Sequence, residues 1–389
     1  MKLKVLDNIL SNFLPEQYFF RENNLEKRNS ITSVIFEQLN FELEFVKENE
    51  VTEFDDVFYP IVNLNNINTN NQDVFSDNLK KYIKRGLKVI IFHLNECFHE
   101  DDIFSFNQYC VNNYIDTSKI YLYVNNKRIE NYLIDMKSNI NFYFPFYQSI
   151  EHSKILQKNK VEYSDKDKSF LFMCHNNKMH SHRLSTISML KEYNVIGDVD
   201  YSCVDFSVSD DSDLLIKSFK SNSKKFTDSY NSIIEAGSKL SFYEKDKFKK
   251  NEIDSGIIDV NTFKNSYVNI VTETDFSDDV IHITEKSLKP FYYYQIPIIV
   301  APYKHLEALR EIYDFDFFDD LIDHSYDYEK NPSKRMKLIF DEIIKIKNNP
   351  NVIKDFYKWH KDRFINNNKI VCEIVNKTND TDYTKNIFI

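Results

Sequence analysis

Between residues 267 and 313 short apolar runs alternate with helix-like stretches, and this alternation narrows the possible folds more than any other feature of the chain. Tyr267–Val271 reads as a strand, Thr284–Tyr294 as a helix, Ile296–Val300 (IPIIV) as a strand and Lys304–Tyr313 as a helix. A short, continuous apolar run bounded by polar residues suits a strand buried on both faces. Strands joined through helices pair in parallel, because the crossover carries the chain back to the end where it started. Pro332–Lys347 and Pro350–Phe364 read as two further helices, each opened by a proline that suits the first helical position. Upstream, Ser169–Cys174 predicts a strand, and His182–Tyr193 a helix with Leu184, Ile187 and Leu190 on one face. Val57–Val62, Val89–Phe92, Ile120–Val124 and Asn141–Phe144 predict strands in the first half, and Asn78–Arg85 a helix stopped by Gly86. The fold class is α/β.

At roughly 100–200 residues per domain, 389 residues suggest two domains. A hydrophobic fraction of 42% is enough for two packed cores. The polar stretch 150–167 has no period and is the candidate linker. The reading is a first domain over 1–155, a second over 165–347, a C-terminal helical segment over 348–375 and a frayed tail over 376–389.

Other classes drop out on composition. A net charge of −10 argues against a duplex-binding surface, and the lysines at 80–84 and 245–250 read as solvated helix faces. The five cysteines are scattered, with no CxxC pair or zinc spacing. With no signal peptide at the start and no apolar run of the ~20 residues a membrane span needs, a cytoplasmic protein without an integral membrane segment is expected. Only four glycines occur, all far apart, so neither a dinucleotide-binding GxGxxG nor a P-loop can be written. Any phosphate must be held by helix N-termini and basic side chains.

The segment Asn269–Pro302 offers that chemistry. Glu273 follows the strand that ends at Val271, so it falls at a strand's carboxyl end, where ligands of such sheets sit. A helix opens at Thr284 and presents its positive end and unpaired N–H groups. Lys286 adds a full charge in the first turn, while Glu285 and Glu273 offer carboxylates to ribose hydroxyls. The same residues also read as an ordinary capped helix start, with Glu285 complementing the dipole.

The pattern V-T-E-T, a loop, D-D-V-I-H-I-T-E-K, a helix and I-P-I-I-V resembles the donor-site signature of fucosyltransferases. It looks still closer to a group of phage and bacterial glycosyltransferases with T-E-T, [IL]-T-E-K-[TS]-x-K-P and F-D-D-x-I-D-x-S-Y-D; the last stands here as Phe318–Asp327. The match is good over 265–345, looser over 168–195 and weak over the first 150 residues. It implies the GT-B architecture, two Rossmann-like domains facing across a cleft, with the C-terminal helix crossing back to the first. It implies a nucleotide-sugar donor and a hydroxyl acceptor: a glycan, a lipid-linked glycan or, with less support from so acidic a chain, modified DNA. Glu285 would hold the donor ribose, Lys286 its phosphate, and Glu273 would order the donor loop or touch the sugar. Pro290–Tyr294 departs from the small residues that fucosyltransferases carry there.

A second loop, after the strand ending at Cys174, loosely resembles the family's arginine-bearing loop and helix. Arg183 is placed to grip a diphosphate, assisted by Asn176 and Lys178, although an ordinary packed arginine fits the same pattern. His175, His180 and His182 fit no standard metal spacing, and Asp198, Asp200, Asp278, Asp279, Asp319 and Asp320 are weak candidates; no metal and no cofactor are expected, the nucleotide sugar being a co-substrate. An inverting transferase needs a base for the acceptor hydroxyl. The acidic loop after Val89–Phe92 supplies Glu96, then Glu100 and His99; a solvated loop or helix cap is the alternative. The rival function is a non-catalytic nucleotide- or glycan-binding protein on the same scaffold. Nothing in the sequence sets an oligomeric state.

Overall fold

The computed structural model of the protein describes residues 2–6, 42–46, 57–62, 74–75, 77–93, 98–124, 126–143, 161–205, 213–237, 260–276 and 280–377. The chain divides into two compact units, Met1–Tyr147 with Asn376–Ile389, and Gln148–Val375.

The first unit holds a six-stranded sheet: β1 (Lys2–Leu6), β2 (Glu42–Val46), β3 (Val57–Val62), β4 (Lys88–His93), β5 (Ile120–Val124) and β6 (Asn141–Tyr143). The strand order is β2-β1-β3-β4-β5-β6, and every neighbouring pair is parallel. Proline removes a ladder donor, and Pro60 lies inside β3. Pairing of β3 with β1 stops at Phe58, so Pro60 falls where the β1 side carries no ladder. Among the described residues the helices α1 (Asp77–Ile83), α2 (Glu100–Asn112) and α3 (Ile129–Asp135) pack on this sheet, with Leu79, Ile83, Ile103 and Phe106 against Val89, Ile91, Leu122 and Val124. Buried Asn126 donates to the carbonyl of Phe98 at 2.8 Å and so ties the chain after β5 to the chain after β4.

The second unit is a four-stranded parallel sheet of β7 (Phe170–Lys178), β8 (Val199–Asp205), β9 (Ser266–Thr272) and β10 (Ile296–Val300), in the order β10-β9-β7-β8. Every residue of β9 and β10 is buried, as their apolar runs require. Pro297 is tolerated because β10 is an edge strand. Among the described residues its helices are α4 (Ser181–Glu192), α5 (Leu214–Asn222), α6 (Lys224–Gly237), α7 (Val260–Lys264), α8 (Glu285–Tyr292), α9 (His305–Ile312), α10 (Pro332–Asn348), α11 (Pro350–Trp359) and α12 (Lys361–Lys377). From β7 the chain winds through α4 to β8 on one side, then returns to β9 on the other. The neighbours β7 and β9 are therefore the point where the winding reverses, and in open parallel sheets ligands bind beyond the carboxyl ends of such a pair.

The segment 348–375 forms two helices that pack on the second unit, to which residues up to Val375 belong. Tyr357 stacks on Tyr163 with centroids 5.0 Å apart. Arg363 pairs with both Asp316 and Asp320, and Asn368 donates to the carbonyl of Tyr292 at 2.6 Å. The end of the expected linker is packed too, Tyr294 donating to the carbonyl of Val161 at 3.3 Å. The motif Phe318–Asp327 is a clasp. Asp319 forms a bidentate pair with Arg310, Asp323 caps the short 3-10 helix His324–Tyr328, and Asp327 accepts from the N–H groups of Leu306 and Glu307 at the start of α9.

Candidate functional site at the switch point of the second sheet

Direct pairing of β7 with β9 ends at Met173 and Asn269, although β7 runs on to Lys178 and β9 to Thr272. Side chains bridge the opening. Thr272 donates its hydroxyl to Asn176 Oδ1 at 2.5 Å, and the Asn176 amide points at Cys174 Sγ, 3.4 Å away. Arg183, on the first turn of α4, spans it further. It donates to the carbonyl of Lys178 at 2.8 Å and to that of Glu273 at 2.9 Å. His182 donates from Nε2 to the same Glu273 carbonyl at 2.9 Å; burial pushes this imidazole down to about 3, so it is neutral. Asn176 and Arg183 thus bridge the two strand ends. Both side chains are buried.

Glu273 is the centre of the site. It is wholly buried, and its N–H continues the ladder to Val300 at 3.0 Å. Oε1 accepts from Ser287 Oγ at 2.5 Å and Thr284 N at 3.3 Å. Oε2 accepts from Thr284 Oγ1 at 2.7 Å and Thr274 N at 3.1 Å. His305 Nε2 lies 3.1 Å from Ser287 Oγ. Because the Ser287 proton goes to the carboxylate, His305 is the donor there. Burial alone would raise this carboxyl, but Lys286, His305 and the hydroxyls of Ser287 and Thr284 outweigh it and hold it below its ordinary 4.5. A carboxylate so occupied orders the loop and the helix start.

Thr284 is the N-cap of α8 and accepts from Lys286 N at 3.2 Å. Glu285 and Lys286 follow in the first turn, as expected. Glu285 pairs with Lys289 at 3.5 Å, the i,i+4 spacing at which helical side chains meet. Lys286 Nζ donates to Thr274 Oγ1 at 2.7 Å and lies 3.9 Å from Glu273 Oε2. Its side chain keeps 31% of its surface open to solvent. Crowding by the protein lowers this ammonium below 10.5, opposed by Glu285 and Glu273. The result is a cation at a helix N-terminus, beside the opening of the sheet, anchored by a buried carboxylate from the neighbouring strand.

Arg335 had no local signal in the sequence. From α10 it donates to the carbonyls of Glu329 at 2.8 Å and Phe276 at 3.2 Å, and its guanidinium lies 4.5 Å from the Phe276 ring. It pins the loop that carries Glu273 and Thr274.

The remaining candidates are scattered. Asp198 lies at the amino end of β8, remote along the strand from the carboxyl edge, and Asp200 meets His175 at 3.4 Å. Among the described residues no group of three His, Cys, Asp or Glu is arranged to hold a metal ion. Glu96, Asp278 and Asp279 lie outside the described residues. Glu100 opens α2 as an exposed first-turn acid, and His99, its N-cap, has its N–H bound by Asp102 Oδ2 at 2.9 Å. A cavity of about 380 Å³ beside α9 is lined by Leu306, Arg310, Asp319, His324, Asp327 and Tyr328 among others, and by none of the residues around Glu273. No described helix is long and apolar enough to cross a membrane.

No protein-family model and no curated protein matches the chain. Three solved structures resemble it distantly. An α1,3-fucosyltransferase with GDP is 11% identical over 94% of this chain and 81% of its own, with a TM-score of 0.39. The DNA-modifying enzyme β-glucosyltransferase, solved with and without uridine diphosphoglucose, is 12% identical over the full length of both chains, with a TM-score of 0.36. The phage T4 enzyme BGT with UDP-glucose is 12% identical over 100% of this chain and 98% of its own, with a TM-score of 0.34. Likenesses this distant set neither a fold nor an activity for the chain.

Proposed function

We propose that the protein is a glycosyltransferase of GT-B type that moves a sugar from a nucleoside diphosphate sugar to an acceptor hydroxyl. The observation that carries this reading is the assembly of Thr284, Glu285 and Lys286 on Glu273, at the carboxyl ends of the strand pair where the sheet reverses. A diphosphate placed there meets the Lys286 ammonium and the positive end of α8. These groups are fixed before the donor arrives, so they stabilise the charge that grows on the departing diphosphate. Glu285 stands one residue away, where a carboxylate can accept from ribose hydroxyls. Arg183 and Asn176 act as frame rather than as ligand contacts.

The proposal extends to the rest of the cycle. The acceptor oxygen attacks the anomeric carbon as the bond to the diphosphate breaks, and its proton passes to a base. We assign the base to the segment after β4, Glu96 first, then Glu100 or His99, and the displacement to inversion. The protein's own cations neutralise the diphosphate, so activity should survive EDTA; loss on chelation with recovery in Mn²⁺ would overturn that part. The acceptor is a glycan or another hydroxyl compound. A thermal-shift screen against UDP-, GDP- and dTDP-sugars, with a CMP-sugar as the monophosphate control, tests the proposal. One donor should raise the melting temperature by mass action and be hydrolysed slowly to its nucleotide in the absence of acceptor. Stabilisation without turnover on any acceptor would favour a binding protein on the same scaffold, and no stabilisation by any donor would refute the site.

A further inference from the structure

His180 is the N-cap of α4, yet its imidazole makes no capping bond to that helix. The ring is half-buried and stacks on His182, with centroids 6.2 Å apart and planes 10° from parallel. His182 stacks in turn on Phe276 at 5.6 Å, and Phe276 carries the Arg335 guanidinium on its ring at 4.5 Å. Four planar groups therefore form a column, buried at Arg335 and ending at His180 beside the opening between β7 and β9. The charged and titratable groups around His180 are Arg183, Lys178 and Lys286 on one side of the balance and Asp275 on the other, with neutral His182 beneath it. Burial, then Arg183 and Lys178, lower this imidazole below 6.5, so it is neutral at pH 7. Three cations outweigh the single carboxylate of Asp275 at this imidazole, and a further anion bound beside it would tip that balance toward the charged form.

We infer that His180 is a further contact for the donor's diphosphate and takes up a proton as the diphosphate binds between it and Lys286. The inference rests on the proposed donor site. The bound anion offsets Arg183, Lys178 and Lys286, which returns the imidazole to its charged form. The imidazolium then donates to a phosphate oxygen. When the sugar leaves, the same N–H stabilises the negative charge that the diphosphate gains, and the proton stays on the histidine until the product departs.

Isothermal titration of GDP, UDP and inorganic pyrophosphate into the wild type, His180→Gln and His180→Lys tests this. Each titration is run from pH 5.5 to 8 in two buffers of different ionisation enthalpy. The wild type should take up a proton on binding near pH 7, and its affinity should fall as pH rises, beyond the change due to the ligand's own ionisation. His180→Gln should bind about tenfold more weakly at the acid end, the effect of one charge-assisted hydrogen bond, and lose the extra proton uptake. His180→Lys should keep the affinity and bind without the extra pH dependence, which a merely structural histidine would not produce. If His180→Gln binds a diphosphate with the wild-type pH slope and proton uptake, the inference fails and the donor site stands. If neither nucleotide nor pyrophosphate binds the wild type, both fall.

Discussion

Replacing Glu273 by Gln keeps the side chain's shape and removes its charge, so it isolates what the carboxylate does. Each carboxylate oxygen accepts from one backbone N–H and one hydroxyl: Thr274 N and Thr284 Oγ1 at Oε2, Thr284 N and Ser287 Oγ at Oε1. Whichever oxygen becomes the amide nitrogen, a backbone N–H then faces a donor. A hydroxyl can rotate to accept, but a backbone N–H cannot. One buried donor is orphaned at about 1–3 kcal/mol, and the remaining bonds lose their charge assistance. Relief of the buried charge offsets part of this, so a net loss of about 2–3 kcal/mol is expected. That is a large share of the ~5–15 kcal/mol of an ordinary domain. The single tryptophan, Trp359, belongs to the second unit, so its fluorescence in a urea titration reports that unit. The carboxyl is held below 4.5 in the folded state, so its contribution is present above that value and is lost as pH falls below it. The stability gap between wild type and Glu273→Gln should therefore be full at pH 7 and close in acid. A gap under about 0.5 kcal/mol, or one that persists unchanged in acid, would refute Glu273 as the ionised anchor of the helix start.

Three other perturbations separate function from frame. Lys286→Ala should weaken nucleoside diphosphate binding by about tenfold to a hundredfold and nucleoside binding hardly at all, since it removes a phosphate contact; equal losses in calorimetry would make Lys286 structural. Tyr114 is exposed and left-handed, with φ of 54°, so Tyr114→Gly should stabilise the first unit by up to about 1 kcal/mol, read from the urea midpoint by circular dichroism; a loss of stability would show that the ring is doing more than strain allows for. Asp327→Ala strips the cap from α9 and should cost about 1–2 kcal/mol in the same assay without changing donor affinity.

What could be read from the chain follows from where each signal resides. The second unit's strands β9 and β10 announce themselves because both are buried on both faces, and the helix start at Thr284 announces itself through its cap and charges. Prolines at 332 and 350 mark real helix starts. Helix ends were harder to place, because glycine is scarce and other residues take its role. Tyr114, Lys137, Asn194 and Tyr294 adopt positive φ after their helices, and in each case the next residue's N–H reaches back to close the cap, as Gln295 does to the carbonyl of Pro290 at 2.8 Å. β8 (VDYSCVD) gives no apolar run to read, because this edge strand largely alternates apolar and polar residues. For Arg183 and Asn176 the pattern places the residues at the sheet edge but carries no information on their partners within the protein. The carbonyl of Glu273 that occupies Arg183 comes from a strand about ninety residues away. Arg335 and His305 reach the site in the same way, across distances at which local spacing carries no information.

The central claim is that a nucleoside diphosphate binds at the reversal point of the second sheet, and hydrogen–deuterium exchange with and without a saturating diphosphate tests it most directly. Binding there should slow exchange at 178–183, where the chain leaves β7 and enters α4, and at 273–276 and 283–287, which carry Glu273 and the start of α8. Exchange elsewhere in the second unit should change little. Protection confined to 306–328, around the cavity beside α9, or confined to the first unit, would contradict the account.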